Sequence, residues 1–369
     1  MNVLERTSLT KLVLALSMAC AALSARPVVA QGLTHVNLVS DIAGVARRTD
    51  PDLANPWGIA LAPNGRVWVA DNHTGVATVY EPDGKIVSLV VTIPPPGGSP
   101  AGTIAAPTGL GLNQTKDFAI TGNATSAPSI FLFCTEDGTV AGWNPATGPA
   151  NAILAVDNSG AGAIYKGLTT GQSQGSNFLY VANFSAGVVE IYDGHFGFVR
   201  SFTDATLPMG YAPFNVRVIK NNLYVTFALQ DADKEDDVAG PGHGFVDVFD
   251  LQGNFVKRFA SQGPLDSPWG LEVAPITWGK LAGALLVGNF GDGRISAYNL
   301  TTGAFIDQLK YPEGDPIEIE GLWSLLVSPA VPTPGSFITP RSVYFTAGFD
   351  DENHGLFGFI RPGFFFDFR

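Results

Sequence analysis

The sequence predicts an all-β protein, a six-bladed β-propeller of four-stranded antiparallel blades. Three observations lead there. Trp57-Gly58-Ile59-Ala60-Leu61-Ala62-Pro63, Trp269-Gly270-Leu271-Glu272-Val273-Ala274-Pro275 and Trp323-Ser324-Leu325-Leu326-Val327-Ser328-Pro329 are copies of one short strand. A unit recurring at about 50 residues marks a repeat architecture. A second apolar strand follows each copy, then a small polar turn, then a third strand with an aromatic residue near its end. The composition agrees: 43 Gly, 26 Pro and 15% charged residues in 369 leave little for long amphipathic helices, and favour short strands joined by turns.

The elements can be followed in order. Inner strands start near Trp57, Thr108, Lys166, Phe214, Trp269 and Trp323, which gives six units of about 48 to 58 residues. Second strands read clearly at Val67-Trp68-Val69-Ala70-Asp71-Asn72, Leu179-Tyr180-Val181-Ala182-Asn183 and Leu285-Leu286-Val287-Gly288-Asn289. Fainter copies lie at Phe131–Thr135, Leu223–Phe227 and Val343–Ala347. Third strands end in Tyr80, Trp143, Tyr192, Phe249, Tyr298 and Phe359. Turns such as Pro82-Asp83-Gly84, Asp193-Gly194 and Gln252-Gly253 lead into a fourth strand, for example Phe198–Phe202. The sixth unit ends after its third strand. Thr34–Ser40 alternates correctly and precedes the first unit, so it is expected to supply the missing outer strand of the last blade and close the ring.

The first 30 residues have the form of a secretory signal peptide. Arg6 and Lys11 precede the apolar stretch Leu12–Ser24, and Val28-Val29-Ala30 offers small residues for cleavage before Gln31. The expected organisation is therefore a leader, 1–30, and one propeller, 31–369, in a secreted or periplasmic protein. The apolar stretch is too short to span a bilayer, and no membrane insertion is expected. Lys and Arg number 21 against 33 Asp and Glu, a net charge of −12. Such a surface repels nucleic acid and anionic membranes, and favours solubility and cation binding. Past the leader only Cys134 remains, in the apolar run Ile130–Cys134, where a buried, inert thiol is expected.

Blade geometry converts the repeat into a map. Starts of inner strands and loops between second and third strands lie on one face, around one end of the central channel. Asn55, Asn215 and Glu320 fall near inner-strand starts, and Asp71, Asn183 and Asn289 at ends of second strands. Asp231 and Asp233, in the acidic stretch Asp231–Asp237, and Asp350-Asp351-Glu352 extend the set. Calcium takes six to eight oxygen ligands from such residues; Asn and Asp after a strand also simply make turns. Asp71, Asn183 and Asn289 are the candidate metal ligands; Asn55, Asn215, Glu320, Asp231 and Asp233 are the candidate ligand-binding residues. His73 and His354 are the candidate general bases on this face, and His243 lies across the ring. Trp57, Trp269 and Trp323 read as packing residues because they recur at equivalent positions. No Gly-x-Ser-x-Gly elbow and no P-loop occurs.

Asn55-Pro56-Trp57-Gly58, Glu136-Asp137-Gly138-Thr139, Tyr211-Ala212-Pro213-Phe214-Asn215-Val216, Ser267-Pro268-Trp269-Gly270-Leu271 and Gly288-Asn289-Phe290-Gly291-Asp292-Gly293 together resemble an uncharacterised family of exported, mostly bacterial propeller proteins related to NHL repeats. The resemblance spans about residues 36–360 and implies fold and export, with no established reaction. A more distant similarity is to six-bladed sugar lactonases and paraoxonase-like hydrolases, which implies a calcium ion held by Glu, Asn and Asp at the channel. Fold analogy alone does not establish function. Two expectations follow. The first is a binding or scaffold module with an unidentified small molecule or protein on the acidic face. The second is a calcium-dependent lactonase-like or esterase-like hydrolase.

Overall fold

The computed structural model describes residues 32–328 and 342–363. The expected leader and the aromatic tail from Phe364 lie outside them. Six sheets stand around one axis, and in blades 1 to 5 strand order in space follows strand order in sequence. Blade 1 runs Pro56–Leu61, Val67–Asp71, Val76–Tyr80 and Ile86–Thr92 from the axis outward. The inner strands of blades 2 to 6 are Pro107–Leu112, Tyr165–Ser173, Tyr211–Ile219, Pro268–Val273 and Leu322–Val327.

Alternation along each strand explains the packing. Side chains of a strand point by turns to opposite faces, and here both faces meet a neighbouring blade. Val67 and Val69 pack towards blade 6 with Tyr344, Phe357 and Phe359, whereas Trp68 and Ala70 pack towards blade 2 with Phe131 and Trp143. Both sets must be apolar, so second strands read as continuous apolar runs and are buried at every position in Val67–Asp71, Phe131–Thr135 and Leu285–Asn289. The outcome is one hydrophobic core between each pair of adjacent blades and a seventh core on the axis. Cys134 lies in the core between blades 2 and 3, and burial pushes its thiol up to about 12, which keeps it protonated as expected.

The ring closes as the sequence predicts. Leu33–Ser40 pairs antiparallel with His354–Pro362, with Leu33 opposite Pro362 and Ser40 opposite Leu356. Leu38 and Val39, at a register shift in this strand, are fully buried in the core between blades 6 and 1. The short strand Arg48–Thr49 adds a fifth, parallel member at the rim. One feature carries no repeat signal: a hairpin, Ala119–Gly122 with Thr125–Pro128, inserted after the inner strand of blade 2. Its two turn residues, Asn123 and Ala124, both have positive φ, as a tight two-residue hairpin turn requires.

Candidate functional site

The site grows from an irregularity repeated six times. Each inner strand shifts register against its second strand near its start, at Pro56/Ile59, Tyr165/Gly167, Pro213/Asn215, Pro268/Gly270 and Leu322/Leu325, and in blade 2 opposite Phe133/Thr135. A bulge re-aims the side chain it displaces. The six residues at this level are Trp57, Thr108, Lys166, Phe214, Trp269 and Trp323. The residue after most of them is glycine because neighbouring inner strands touch there. A Cβ on Gly58 would lie 2.5 Å from the Thr108 carbonyl oxygen, and one on Gly270 would lie 2.7 Å from that of Trp323.

The aromatic members close the axis. The rings of Trp57 and Trp323 stack at 3.4 Å, Trp269 stands edge-on to both at 6.1 and 5.9 Å, and Phe290 stacks on Trp323 at 4.0 Å. With Phe184 and Phe214 they form the axial core. The tryptophans therefore do pack, as expected, and do so against one another across the axis.

Lys166 is the one charged member of the six. Its side chain is 1% exposed, and Nζ lies 5.2 Å over the Trp57 ring and 5.8 Å over that of Phe184. Burial alone would pull the ammonium's pKa down. Glu136 and Asp236 outweigh it and hold the group above the ordinary lysine value. Glu136 binds Nζ directly, and Asp236 Oδ1 lies 3.0 Å away. The second oxygen of Glu136 accepts from the Asn72 amide at 2.8 Å. Beside them Glu352 accepts from the Asn55 amide at 2.6 Å, and the Asn55 oxygen accepts from the Trp323 indole at 3.1 Å. Burial, helped by the charges of Glu136 and Asp236 and opposed by Asn55 and Lys166, lifts the Glu352 carboxyl to about 7. Asp237 is lifted to about 6, chiefly by burial.

The loops that assemble this mouth are strained. Asp350, Asp351 and Glu352 are three successive left-handed residues, with φ of 57°, 51° and 63°. Such a turn costs about 1–2 kcal/mol per residue outside glycine. Asn55 and Ser267, each just before a proline, also have φ of 46°, where an extended conformation is preferred. Polar groups here are left partly unspent. The buried Trp57 indole N–H has no acceptor among the described residues, and Asp237 Oδ2 and Ser267 Oγ neighbour each other without a hydrogen bond of normal geometry.

The structure places the residues expected from sequence as follows. Asn55 belongs to the mouth, and Glu320 borders it, accepting the Asp350 N–H at 3.0 Å. Asn215 takes the position that glycine holds in other blades and ties blade 4 to blade 5 through the Trp269 carbonyl at 2.8 Å. Asp231 caps its own loop through the Glu235 N–H, and Asp233 is exposed on that loop. This loop folds inward, which is how Asp236 reaches Lys166. Asp71, Asn183 and Asn289 each bond within their own blades, while Asp71 Oδ1 and Asn289 Oδ1 are buried with no hydrogen-bond partner among the described residues. Asp71 is fully buried and accepts the Thr78 N–H at 3.0 Å, and burial pushes its carboxyl well above the usual carboxylate range. Asn183 donates to Glu190, and Asn289 to Asp292 and the Pro264 carbonyl. Among the described residues no three His, Cys, Asp or Glu side chains are arranged to hold a metal ion. At the mouth Glu136 and Asp236 pair with the Lys166 ammonium, and Glu352 accepts from Asn55. His73 is exposed; His354 is held by Asp41 through Nδ1 at 2.7 Å, with Nε2 3.8 Å from Asp350.

Lys166, Glu136, Asp236 and Glu352 do not emerge from the repeat pattern as a group. A signal existed nonetheless. Aligning the six inner strands gives Trp, Thr, Lys, Phe, Trp and Trp at one level, and a single cation in an otherwise uncharged ring calls for carboxylates nearby.

Fold and site define a six-bladed β-propeller with a plugged axis and an acidic mouth. The NHL repeat family matches residues 53–75, within blade 1. An uncharacterised protein of Acanthamoeba polyphaga mimivirus is 34% identical over 330 residues, 88% of this chain and 78% of its own length. A second from the same virus is 32% identical over 330 residues, 87% of this chain and 83% of its own. The chain belongs to the family of these proteins. Among solved structures, a catalytically inactive virginiamycin B lyase from Staphylococcus aureus with quinupristin is similar, with a TM-score of 0.52 at 12% identity, over 89% of this chain and 98% of that one. At that identity the likeness shows the fold alone.

Proposed function

We propose that this protein is an exported binding module whose ligand or partner seats on the acidic mouth and presents a positive charge there. The observation that carries this reading is the balance of charge around Lys166. One ammonium is already engaged, yet Glu136, Asp236, Glu352 and Asp237 surround it, and Glu320, Asp350 and Asp351 border the same opening. A cation arriving here meets carboxylates held by a rigid aromatic base, and rigid presentation lowers the ordering cost of binding. The unspent Trp57 N–H, Asp237 oxygen and Ser267 hydroxyl add hydrogen-bonding capacity beneath it.

The test is a thermal-shift screen of the mature protein with spermine and a Lys/Arg-rich hexapeptide, against neutral and Glu-rich hexapeptides, at low and high salt. A rise in melting temperature with the cationic probes alone, reduced by salt, supports the reading; equal responses to all probes overturn it.

The calcium-dependent hydrolase has one observation in its favour, the His354–Asp41 pair, in which the carboxylate orients the imidazole as a general base needs. Its metal would have to displace Lys166 or free Asp71, Asn183 and Asn289 from their blades. Calcium analysis of the purified protein, with melting before and after a chelator, decides it. With Glu136 and Asp236 paired to Lys166 and Glu352 to Asn55, too few free oxygens remain for calcium's six to eight ligands, so no stoichiometric calcium and an unchanged melt are expected.

A further inference from the structure

A cleft of about 640 Å³ opens between blades 2 and 3. We propose that it binds a neutral, polyhydroxylated ring, a sugar unit in chemical class. Its polar lining is a continuous hydrogen-bonded array. Glu190 accepts from the Tyr165 hydroxyl at 2.8 Å, from the Tyr192 hydroxyl at 2.5 Å and, on its other oxygen, from the Asn183 amide at 2.8 Å. The Asn158 amide donates to both phenol oxygens, at 2.7 and 2.9 Å. Burial, with the charge of Glu190, keeps both tyrosines protonated.

The chemistry of the lining selects the ligand class. No Lys, Arg or His lines the cleft, so nothing there recognises an anion. The charge of Glu190 is spread over three donors, so a cation gains less here than at the mouth. Amide, phenol, carboxylate and the Ser185 hydroxyl together offer donors and acceptors side by side, the pattern that matches vicinal hydroxyls. Val156, Ala163, Phe196 and Phe198 add apolar lining. Phe198 is 61% exposed and rests edge-on against Tyr192 at 5.9 Å, which leaves much of its ring to solvent. A sugar ring presents C–H groups on one face and hydroxyls at its edge, so apolar and polar lining are then both used. The volume is within the range of about 300–1,000 Å³ usual for small-molecule sites.

This inference stands apart from the reading of the mouth, and the experiment separates them. Saturation-transfer NMR on the full chain would use glucose, N-acetylglucosamine, cellobiose and maltotriose. At least one is expected to bind with a Kd on the order of 1 mM or tighter. Phe198→Ala, at an exposed ring that the fold does not need, should weaken that binding by at least about tenfold, with an unchanged melting temperature. Glu352→Gln, at the mouth, should leave it unaltered. Absence of transfer from all four sugars, or equal binding by Phe198→Ala, overturns the proposal. Glu190→Gln supplies a second check: it replaces an acceptor facing the Asn183 amide by a group that also donates, so binding should fall while the aromatic wall stays intact.

Discussion

At the residue scale the molecule turns on Lys166. A buried ammonium persists only when paired, and its two partners differ sharply. Glu136 is 25% exposed and braced by Asn72, whereas Asp236 is 74% exposed on a surface loop. Solvent screens the second pair far more than the first. Lys166→Met should therefore destabilise the fold by roughly 2–3 kcal/mol, because it strands Glu136 against the aromatic plug, while Asp236→Asn should cost less than about 1 kcal/mol. Urea unfolding of the two variants measures both. Because Lys166→Met removes both pairs, equal losses would mean that the Glu136 pair contributes nothing and that burial of the lysine matters little. None of these partners is legible as a partner in the sequence. Lys166 and Asp236 are 70 residues apart, Asn72 and Glu136 are 64 apart, and Asn55 and Glu352 are 297 apart. The repeat locates such residues on one face but does not say which side chains meet.

At the scale of elements, the strand ladder is legible because its cause is local. Two buried faces require an unbroken apolar run, and turns of Asp, Gly and Asn interrupt it at regular spacing. The same logic places the closing strand, since a sixth blade one strand short needs a donor. Leu38 is the residue to test. It is fully buried in the core between blades 6 and 1, beside Tyr344 and Phe357. Leu38→Ala should cost about 2–4 kcal/mol, and hydrogen exchange should then rise first in His354–Pro362, the strand it pairs with. A loss confined to Leu33–Ser40 would show that the ring does not depend on this strand for closure. The candidate metal ligands Asp71, Asn183 and Asn289 carry the matching lesson. Their recurrence at second-strand ends is real, and each forms bonds within its own blade, to Thr78, to Glu190 and to Asp292. A repeated polar residue in a propeller can therefore be answering a repeated structural need. The hairpin Ala119–Pro128 is illegible for the converse reason: it occurs once, so no repeat announces it.

At the scale of the whole molecule, charge and burial combine into a pH dependence. Burial lifts Asp237 to about 6, and Glu352 and Asp247 to about 7. Each folded value exceeds the unfolded one, so the folded state holds more protons between the two, and stability falls as pH rises through that window. The net charge of −12 acts in the same direction, since protonation relieves repulsion. Asp204, Asp250 and Asp307 are shifted downward and begin to cost stability only at more acid pH. The melting temperature should accordingly rise as pH is lowered from 8 to about 5.5. Glu352→Gln removes one contributor: it should be more stable than the parent at pH 8, by no more than roughly 2–3 kcal/mol, and lose that advantage near pH 5. A melting profile that is flat across this range in both proteins would show that these carboxyls titrate at ordinary values.

The claim on which the rest depends is that the acidic mouth receives a positive charge. Isothermal titration of the Lys/Arg-rich hexapeptide into the parent and into the Asp236→Asn/Glu352→Gln double variant tests it most directly. Both substitutions lie at the mouth and leave the Lys166–Glu136 pair and the aromatic plug in place. Binding to the parent should be saturable, weaken with salt and fall at least about tenfold in the double variant. Equal affinity in the two proteins, or no binding to the parent at low salt, would contradict it.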